Sequence, residues 1–366
     1  MMKLTLVERQ DARLRCVPDL GIAHLLGQCK ANDIDASLIQ GSPQTLQCLI
    51  DDSVFDTFCK GYVDLVKERG ESWFKDFLGF NYGLATSLEI ADKTNPDSLA
   101  DLWELLTFMR EEVWPNWLPD YLYEKIINTE PDVVGFSVWD FYGHPKISKV
   151  ISDLIKRLRQ DSDLHVTRAG SLHQRCRSHM RVVLGGPGTI TQSARKDIFK
   201  IFNPDYIVHH EGELALLEVL DMIERDKNRK VDNISFKGYD GKNNPINDLD
   251  SLALPDFSQY GLDDFFLPVR ILPLMTSRGC PWSKCAFCNH HATYCGYREL
   301  GLENVTETIE KYKKEYKTDM IMFHDETFTA DRAKNLVDDL PDAYYYSYAY
   351  PKGFDYATLR KMYERG

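Results

Sequence analysis

Apolar residues along the chain fall into two periods, and the alternation between them outlines the elements. Residues 3–7 are a short apolar run of strand character. In the PDLGIAHLLGQCKAND stretch that follows, Leu20, Ile22, Leu25 and Leu26 form a helical stripe that ends near Asn32. Residues 34–39 read as a second strand. Strand, helix and strand in this order favour a parallel sheet, because the helix carries the chain back across it. From about residue 42 to 119 the strand signal disappears. Leu46, Leu49 and Ile50, then Phe55, Phe58, Tyr62, Leu65 and Val66, then Leu99, Leu102, Leu105, Leu106 and Met109 recur at helical spacing. This predicts a helical insertion, with Trp73, Trp103, Trp114 and Trp117 as core or domain-contact residues.

The alternation returns at Tyr121. Residues 132–138 read as a buried strand, 146–158 as a helix and 159–180 as a polar, solvated loop. Strands follow at 181–184 and 205–208, with a helix at 214–223. Five strands with crossover helices predict a doubly wound, Rossmann-like domain over residues 1–228, its last helix ending near Glu224. Residues 229–268 are turn-rich and read as a linker. A second α/β series then begins: strand 271–276, helix 302–316, strand 319–323, strand 343–350 and a closing helix.

Candidate chemistry is concentrated at residues 275–298, MTSRGCPWSKCAFCNHHATYCGYR. Cys280, Cys285 and Cys288 share one short loop directly after an apolar strand. Thiolates are soft ligands, and three on one loop can hold three corners of an iron–sulfur cuboid, leaving its fourth iron open. Zinc is the alternative. Cys285 and Cys288 have knuckle spacing, and Cys280, His290, His291 or Cys295 could complete a four-ligand set. A zinc ribbon usually takes a second, distant ligand pair, and the sequence has none. A disulfide is the weakest reading, since no secretory signal precedes these thiols. Cys16, Cys29, Cys48, Cys59 and Cys176 are scattered and read as ordinary thiols.

Ligands of parallel α/β sheets sit beyond the carboxyl ends of the strands. Ser137, Gly185, Gly186, Glu211 and Gly212 all fall there. In the second series, Asp325 and Glu326 follow the second strand, where a carboxylate can accept from an ammonium or cap a helix.

The cysteine stretch resembles the cluster loop of the radical S-adenosylmethionine enzymes. The SRGCP lead-in and Phe287 before the third cysteine both fit. The gap between the first two cysteines, Pro281 to Lys284, is one residue longer than the family's usual spacing. The first domain is similar to the cobalamin-binding domain of one large class of these enzymes, over residues 1–41 and 121–224. The PDLGIAHLL helix, the GFS strand end, the VVLGGPG strand and the HEGE turn occur in the order of that domain. Its histidine motif for ligating cobalt is absent, which leaves Arg13, Arg15 or Trp139 as neighbours for the lower corrin face.

The resemblance implies that Cys280, Cys285 and Cys288 hold a 4Fe–4S cluster, that Phe287, Asp325 and Glu326 contact S-adenosylmethionine, and that Ser137, Gly185, Gly186, Glu211 and Gly212 line cobalamin. The implied reaction is radical methyl transfer. Reduction of S-adenosylmethionine gives a 5′-deoxyadenosyl radical, which removes hydrogen from an unactivated carbon of a peptide or natural product. A one-electron reductant such as flavodoxin or ferredoxin would be the partner. Residues 269–366 would supply the first three βα units of a (βα)6 partial barrel, which implies a longer parent protein. Two other readings remain: a zinc- or cluster-stapled binding module without radical chemistry, and a radical enzyme that does not use cobalamin.

Composition narrows the partners. The formal net charge is −12 over 366 residues, with acids and bases interleaved, so phosphate polymers are repelled rather than gathered. No apolar run is long enough to span a bilayer, and nine cysteines without a secretory signal point to a reducing cytoplasm.

Overall fold

The computed structural model describes residues 2–8, 17–41, 114–138, 145–168, 180–265, 270–288 and 293–366. Most of the expected helical insertion lies outside these residues, as do Arg13, Arg15, Trp139, His290 and His291. The chain divides into two compact units, the first reaching Ile246 and the second containing Asn247–Gly366.

In the first unit, strands β1 (Lys3–Val7), β2 (Asp35–Ile39), β3 (Val133–Ser137), β4 (Arg181–Gly185) and β5 (Tyr206–Val208) run parallel. Their spatial order is β2-β1-β3-β4-β5. The intervening helices are α1 (Leu20–Ala31), α2 (Trp114–Asn128), α3 (Pro145–Arg168) and α4 (Gln192–Phe202), and α5 (Glu213–Glu224) follows β5. Leu4, Thr5, Leu6 and Val7 are all buried, as expected for an inner strand covered on both faces. Leu118, Leu122 and Ile126 lie at i, i+4 and i+8 of α2, so one stripe of that helix enters the core. They share a cluster with Val134 and Phe136 of β3 and with Leu154, Ile155 and Leu158 of α3.

Three expectations change here. Residues 114–119 begin a helix that packs on the sheet and are not part of an insertion. Helix α3 runs on through residues 159–168, which the sequence suggested were loop; no glycine or proline interrupts it there. The stretch 229–268 is not all linker. Strands β6 (Ile234–Phe236) and β7 (Tyr239–Asp240) add an antiparallel hairpin to the sheet beside β5. Gly238, at φ 87°, supplies the left-handed turn, and the Ser235 hydroxyl donates to Asp240 at 2.5 Å across it.

In the second unit, β8 (Ile271–Leu274), β11 (Met320–Phe328) and β12 (Tyr344–Ala349) form a parallel sheet with β11 in the centre. A small antiparallel pair, β9 (Ser277–Arg278) and β10 (Arg298–Glu299), lies between β8 and the helix α6 (Leu302–Lys311). Helices α7 (Ala330–Leu336) and α8 (Tyr356–Arg365) follow β11 and β12. Val305, Ile309 and Tyr312 bury the inner face of the α6 segment. The expected helix 302–316 is not uniform, because its last turn, Tyr312–Tyr316, is a π-helix. Both tyrosine rings meet Phe257 edge-on, at 5.4 and 5.8 Å. Tyr316 Oη also donates to Asp256 at 3.0 Å and accepts from the Phe257 backbone N–H. The widened turn therefore docks on residues 256–257.

Candidate functional site

The cysteine loop is closed at its base by backbone. Arg278 pairs with Arg298 and Ser277 with Glu299, and the Leu300 N–H donates to the Thr276 carbonyl at 2.9 Å. Gly279 has φ 83°, and a Cβ there would lie 2.1 Å from the Gly296 carbonyl oxygen. Only glycine permits that approach.

Beneath the loop sits a buried polar clamp. Asp325, 4% exposed, accepts from the Thr276 N–H at 2.7 Å, the Thr276 hydroxyl at 2.6 Å and the Ser277 hydroxyl at 2.7 Å. Arg332, 2% exposed, donates from Nε to Thr276 Oγ1 at 3.2 Å. Its Nη2 donates to the carbonyls of Thr276, at 2.8 Å, and Leu300, at 2.5 Å. Burial raises the Asp325 carboxyl above its usual range, while the Thr276 and Ser277 donors oppose that shift. Asp325 is thus committed to the loop base, and its carboxylate is not presented to a ligand.

Glu326 is placed differently. Its Oε2 accepts from the Gly279 N–H at 2.9 Å, one residue before Cys280. Burial pushes its carboxyl up to about 7, against the pull of backbone hydrogen bonds from Glu326 itself and Gly279. Asp325 and Glu326 do not follow the second strand, as the sequence suggested, but belong to it, since β11 continues through Phe328.

Cys280, Cys285 and Cys288 are free and partly exposed on the one loop, and Cys295 is exposed. The Thr327 hydroxyl donates to Cys280 Sγ at 3.3 Å. Burial pushes the Cys280 thiol up, but hydrogen bonds from the Ser283 backbone, the Thr327 hydroxyl and the Trp282 backbone hold it below its ordinary value. Such a thiol favours the thiolate that metals bind. The Cys288 N–H donates to the Cys285 carbonyl at 3.1 Å, making a tight turn. Phe287, on that turn, is 90% exposed. Among the described residues, no group of three or more His, Cys, Asp or Glu is already gathered around a metal position. The three thiols share a loop without converging.

In the first unit, the carboxyl ends of β3, β4 and β5 bring several expected residues to one edge. Ser137 pairs with Gly185, and a Cβ on Gly185 would lie 3.4 Å from the Val208 carbonyl. Gly186 has φ 97°, and a Cβ there would come within 2.7 Å of the Val138 carbonyl and 3.1 Å of Ser137 Oγ. Gly212 begins α5 beside Val208. Glu211 turns inward. It is 2% exposed, and its Oε2 accepts from the Ile246 backbone, anchoring the segment after the hairpin.

Sequence reasoning missed Thr276, Ser277, Thr327 and Arg332. Arg332 carries no local signal, because one arginine in ADRAKNL reads as a solvated helix charge.

No family profile matches the chain. It is 28% identical to an uncharacterized methyltransferase of Pyrococcus horikoshii over 228 residues, covering 58% of this chain and 43% of that protein. It is 24% identical to the 4'-phospho-dehydrooxetanocin synthase of Priestia megaterium over 196 residues, covering 52% of this chain and 24% of that one. The chain therefore spans less than half the length of these relatives. Among solved structures, the cobalamin-dependent S-adenosylmethionine radical enzyme OxsB, with aqua-cobalamin and S-adenosylmethionine bound, superposes with a TM-score of 0.61. The match covers all of this chain and 43% of OxsB, at 14% identity. In fold, the chain is like the cobalamin-dependent radical S-adenosylmethionine enzymes. The radical S-adenosylmethionine methyltransferase TsrM of Kitasatospora setae matches at TM-score 0.58 and 14% identity, over all of this chain and 58% of TsrM. The match to both structures runs through both units, so the mixed α/β architecture with parallel sheets is common to all three.

Proposed function

We propose that the chain is part of a cobalamin-dependent radical S-adenosylmethionine methyltransferase. In this reading the first unit is a Rossmann-like, cobalamin-binding-type domain, and β8, β11 and β12 begin a radical enzyme's partial barrel. The observation that carries it is the placement of Cys280, Cys285 and Cys288. They are free thiols on one loop at the carboxyl end of a parallel strand, with Cys280 shifted toward thiolate. Active sites of βα barrels lie at that end.

The residues fit the groups. Three soft ligands on one loop suit a 4Fe–4S cluster, and their partial exposure leaves room for it. Gly185 and Gly186 let the ends of β3, β4 and β5 pack backbone to backbone, so a corrin at that edge would meet main chain. When bound, the cluster, S-adenosylmethionine and cobalamin supply the radical chemistry and the methyl group. The chain's own residues do the positioning. Asp325 and Arg332 fix the loop base, Thr327 orients the Cys280 sulfur, and Glu326 offers the carboxylate beside Gly279. Of the two acids, Glu326 is the one for the S-adenosylmethionine ammonium, since it stands at Gly279, directly before Cys280, whereas Asp325 holds the loop base from below. Phe287 stands free on the loop for contact with the same cofactor. The substrate would be a peptide or natural product, and the electron would come from a flavodoxin or ferredoxin. Among the described residues, no helix is long and apolar enough to cross a membrane. We place the enzyme in the cytoplasm on the strength of its thiols.

The test is anaerobic reconstitution with iron and sulfide, followed by metal and sulfide analysis. About four irons and four sulfides per chain, lost in the Cys280→Ala/Cys285→Ala/Cys288→Ala variant, support the cluster. Zinc with no sulfide would overturn it. Hydroxocobalamin retained through gel filtration supports the first unit's role, and its loss would remove cobalamin from the reading.

A further inference from the structure

The first unit carries a concavity at the opposite end of its strands from Ser137, Gly185 and Gly186. It is a cleft of about 970 Å³ between α4 and the β6–β7 hairpin, reached at the amino ends of β4 and β5. That volume lies in the usual range for small-molecule sites, roughly 300–1,000 Å³. Its lining is unlike the rest of this acidic chain. Six cationic side chains face two carboxylates, whereas the whole chain carries a net charge of −12.

The pairing within the cleft leaves positive charge over. Arg159 and Arg181 share one carboxylate, Asp205, at 3.0 and 3.1 Å. Arg181 also reaches the exposed Asp226 at 3.6 Å. Arg195 is spent on Asp240, at 2.6 and 3.0 Å, and on the Thr189 and Ile190 carbonyls, so it serves as wall. Lys196 on α4 and Lys237 in the hairpin turn have no ion-pair partner among the described residues, and Lys200 has only Asp197, at 3.5 Å. The same cleft is lined by an aromatic surface. Tyr206 meets Phe236 edge-on at 6.1 Å, and Phe236 meets Tyr239 at 5.1 Å. A bare anion would leave that surface unused, and a neutral ring would leave the lysines unused.

We propose that this cleft binds a small aromatic phosphate, with its ring against Phe236 and Tyr239 and its phosphate between Lys196 and Lys237. The site is independent of the reading given above for the cysteine loop and for the carboxyl ends of the strands.

The probe is adenosine 5′-monophosphate, titrated calorimetrically into the full chain. Adenosine and inorganic phosphate are run in parallel. Lys196 and Lys237 are both exposed, so Lys196→Glu/Lys237→Glu should keep the fold, which circular dichroism verifies. We expect the nucleotide to bind at least about tenfold more tightly than adenosine or phosphate. The double variant should weaken it by at least about tenfold, and a rise in salt should weaken it as well, since exposed charges are screened. Tyr239→Ala should weaken the nucleotide and leave phosphate unchanged. Absence of nucleotide binding at millimolar concentration would overturn the proposal. So would equal affinity in the double variant, which would place the nucleotide elsewhere on the chain. Should the double variant misfold, Lys237→Glu alone, in the hairpin turn, carries the same readout.

Discussion

Replacing Asp325 with alanine tests whether the cysteine loop is held from below. The carboxylate accepts three hydrogen bonds of 2.6 to 2.7 Å from Thr276 and Ser277 and is almost wholly buried. Hydrogen bonds to a charged acceptor contribute about 1.5–3 kcal/mol each, so the gross interaction is several kcal/mol. Desolvation of the carboxylate, visible in its raised pKa, offsets part of this. Removal does not recover that cost cleanly. It strands the Thr276 N–H and two hydroxyls and leaves Glu299, at 3.5 Å, as the carboxylate paired with the buried Arg332 guanidinium. Truncating one partner of a buried charged network typically costs about 3–5 kcal/mol, and we expect about 4 kcal/mol here. Asp325→Asn keeps the shape and one good acceptor but turns an amide donor toward hydroxyls, so about 1–2 kcal/mol is expected.

Urea unfolding followed by far-ultraviolet circular dichroism measures both variants, with the slope of the transition as the control for a changed unfolded state. Iron bound per folded chain after reconstitution is the second readout, falling in the order wild type, asparagine, alanine. An alanine variant within about 1 kcal/mol of wild type would refute the clamp, because stranded buried donors cannot be that cheap. Lost stability with undiminished iron would show that the clamp holds the strand and not the loop.

Other substitutions probe other parts. Gly186→Ala forces a Cβ to 2.7 Å from the Val138 carbonyl at φ 97°; a loss of about 2–3 kcal/mol in urea unfolding is expected. Leu122→Ala opens a void in the core between α2 and the sheet and should cost about 2–5 kcal/mol by the same measurement. His209 is 1% exposed, and burial, followed by the Arg195 charge, lowers its pKa to about 4. Between pH 6.5 and 4 the unfolded chain binds the proton that the folded chain refuses, so stability falls as pH falls through that window, by about 3 kcal/mol in all. His209→Gln should flatten stability over that range, and an unchanged pH profile would show that His209 does not titrate as placed.

The parallel sheets were legible because their strands are continuous apolar runs, such as VVGFS and RVVLG, separated by helical stripes. Boundaries failed where polarity was taken for loop. Residues 159–168 have no apolar stripe and are still helix, since nothing in them breaks one. The hairpin at residues 234–240 was hidden by its short strands and turn-rich surroundings. The cysteines were legible by spacing alone. What holds them was not: Thr276, Ser277 and Arg332 are joined through space across 48 to 56 residues, and no local pattern announces a buried arginine.

The HDETF segment shows why the two acids divide their work. A regular strand turns successive side chains to opposite faces, so only every second residue could address the loop. Here β8 and β11 pair in register from Ile271 with Met320 to Leu274 with Phe323. The register of β11 against β12 then shifts between Phe323 and Phe328. Across that irregularity three consecutive residues follow the neighbouring chain as it leaves the sheet. Asp325 holds Thr276 and Ser277, Glu326 takes the Gly279 N–H, and Thr327 reaches the Cys280 sulfur. A bulge is a means of re-aiming side chains beside functional sites, and this one gives the loop three successive handholds where a plain strand would give one or two. The innermost falls to the carboxylate that is fully buried, and the outermost to a hydroxyl on the first thiol. The acid between them lies deep enough to have its pKa raised, yet directly beside the residue that introduces Cys280. The chemistry assigned to Glu326 therefore depends on the irregularity in β11 as much as on the carboxylate. A deletion that restored regular alternation would point one of these three side chains away from the loop.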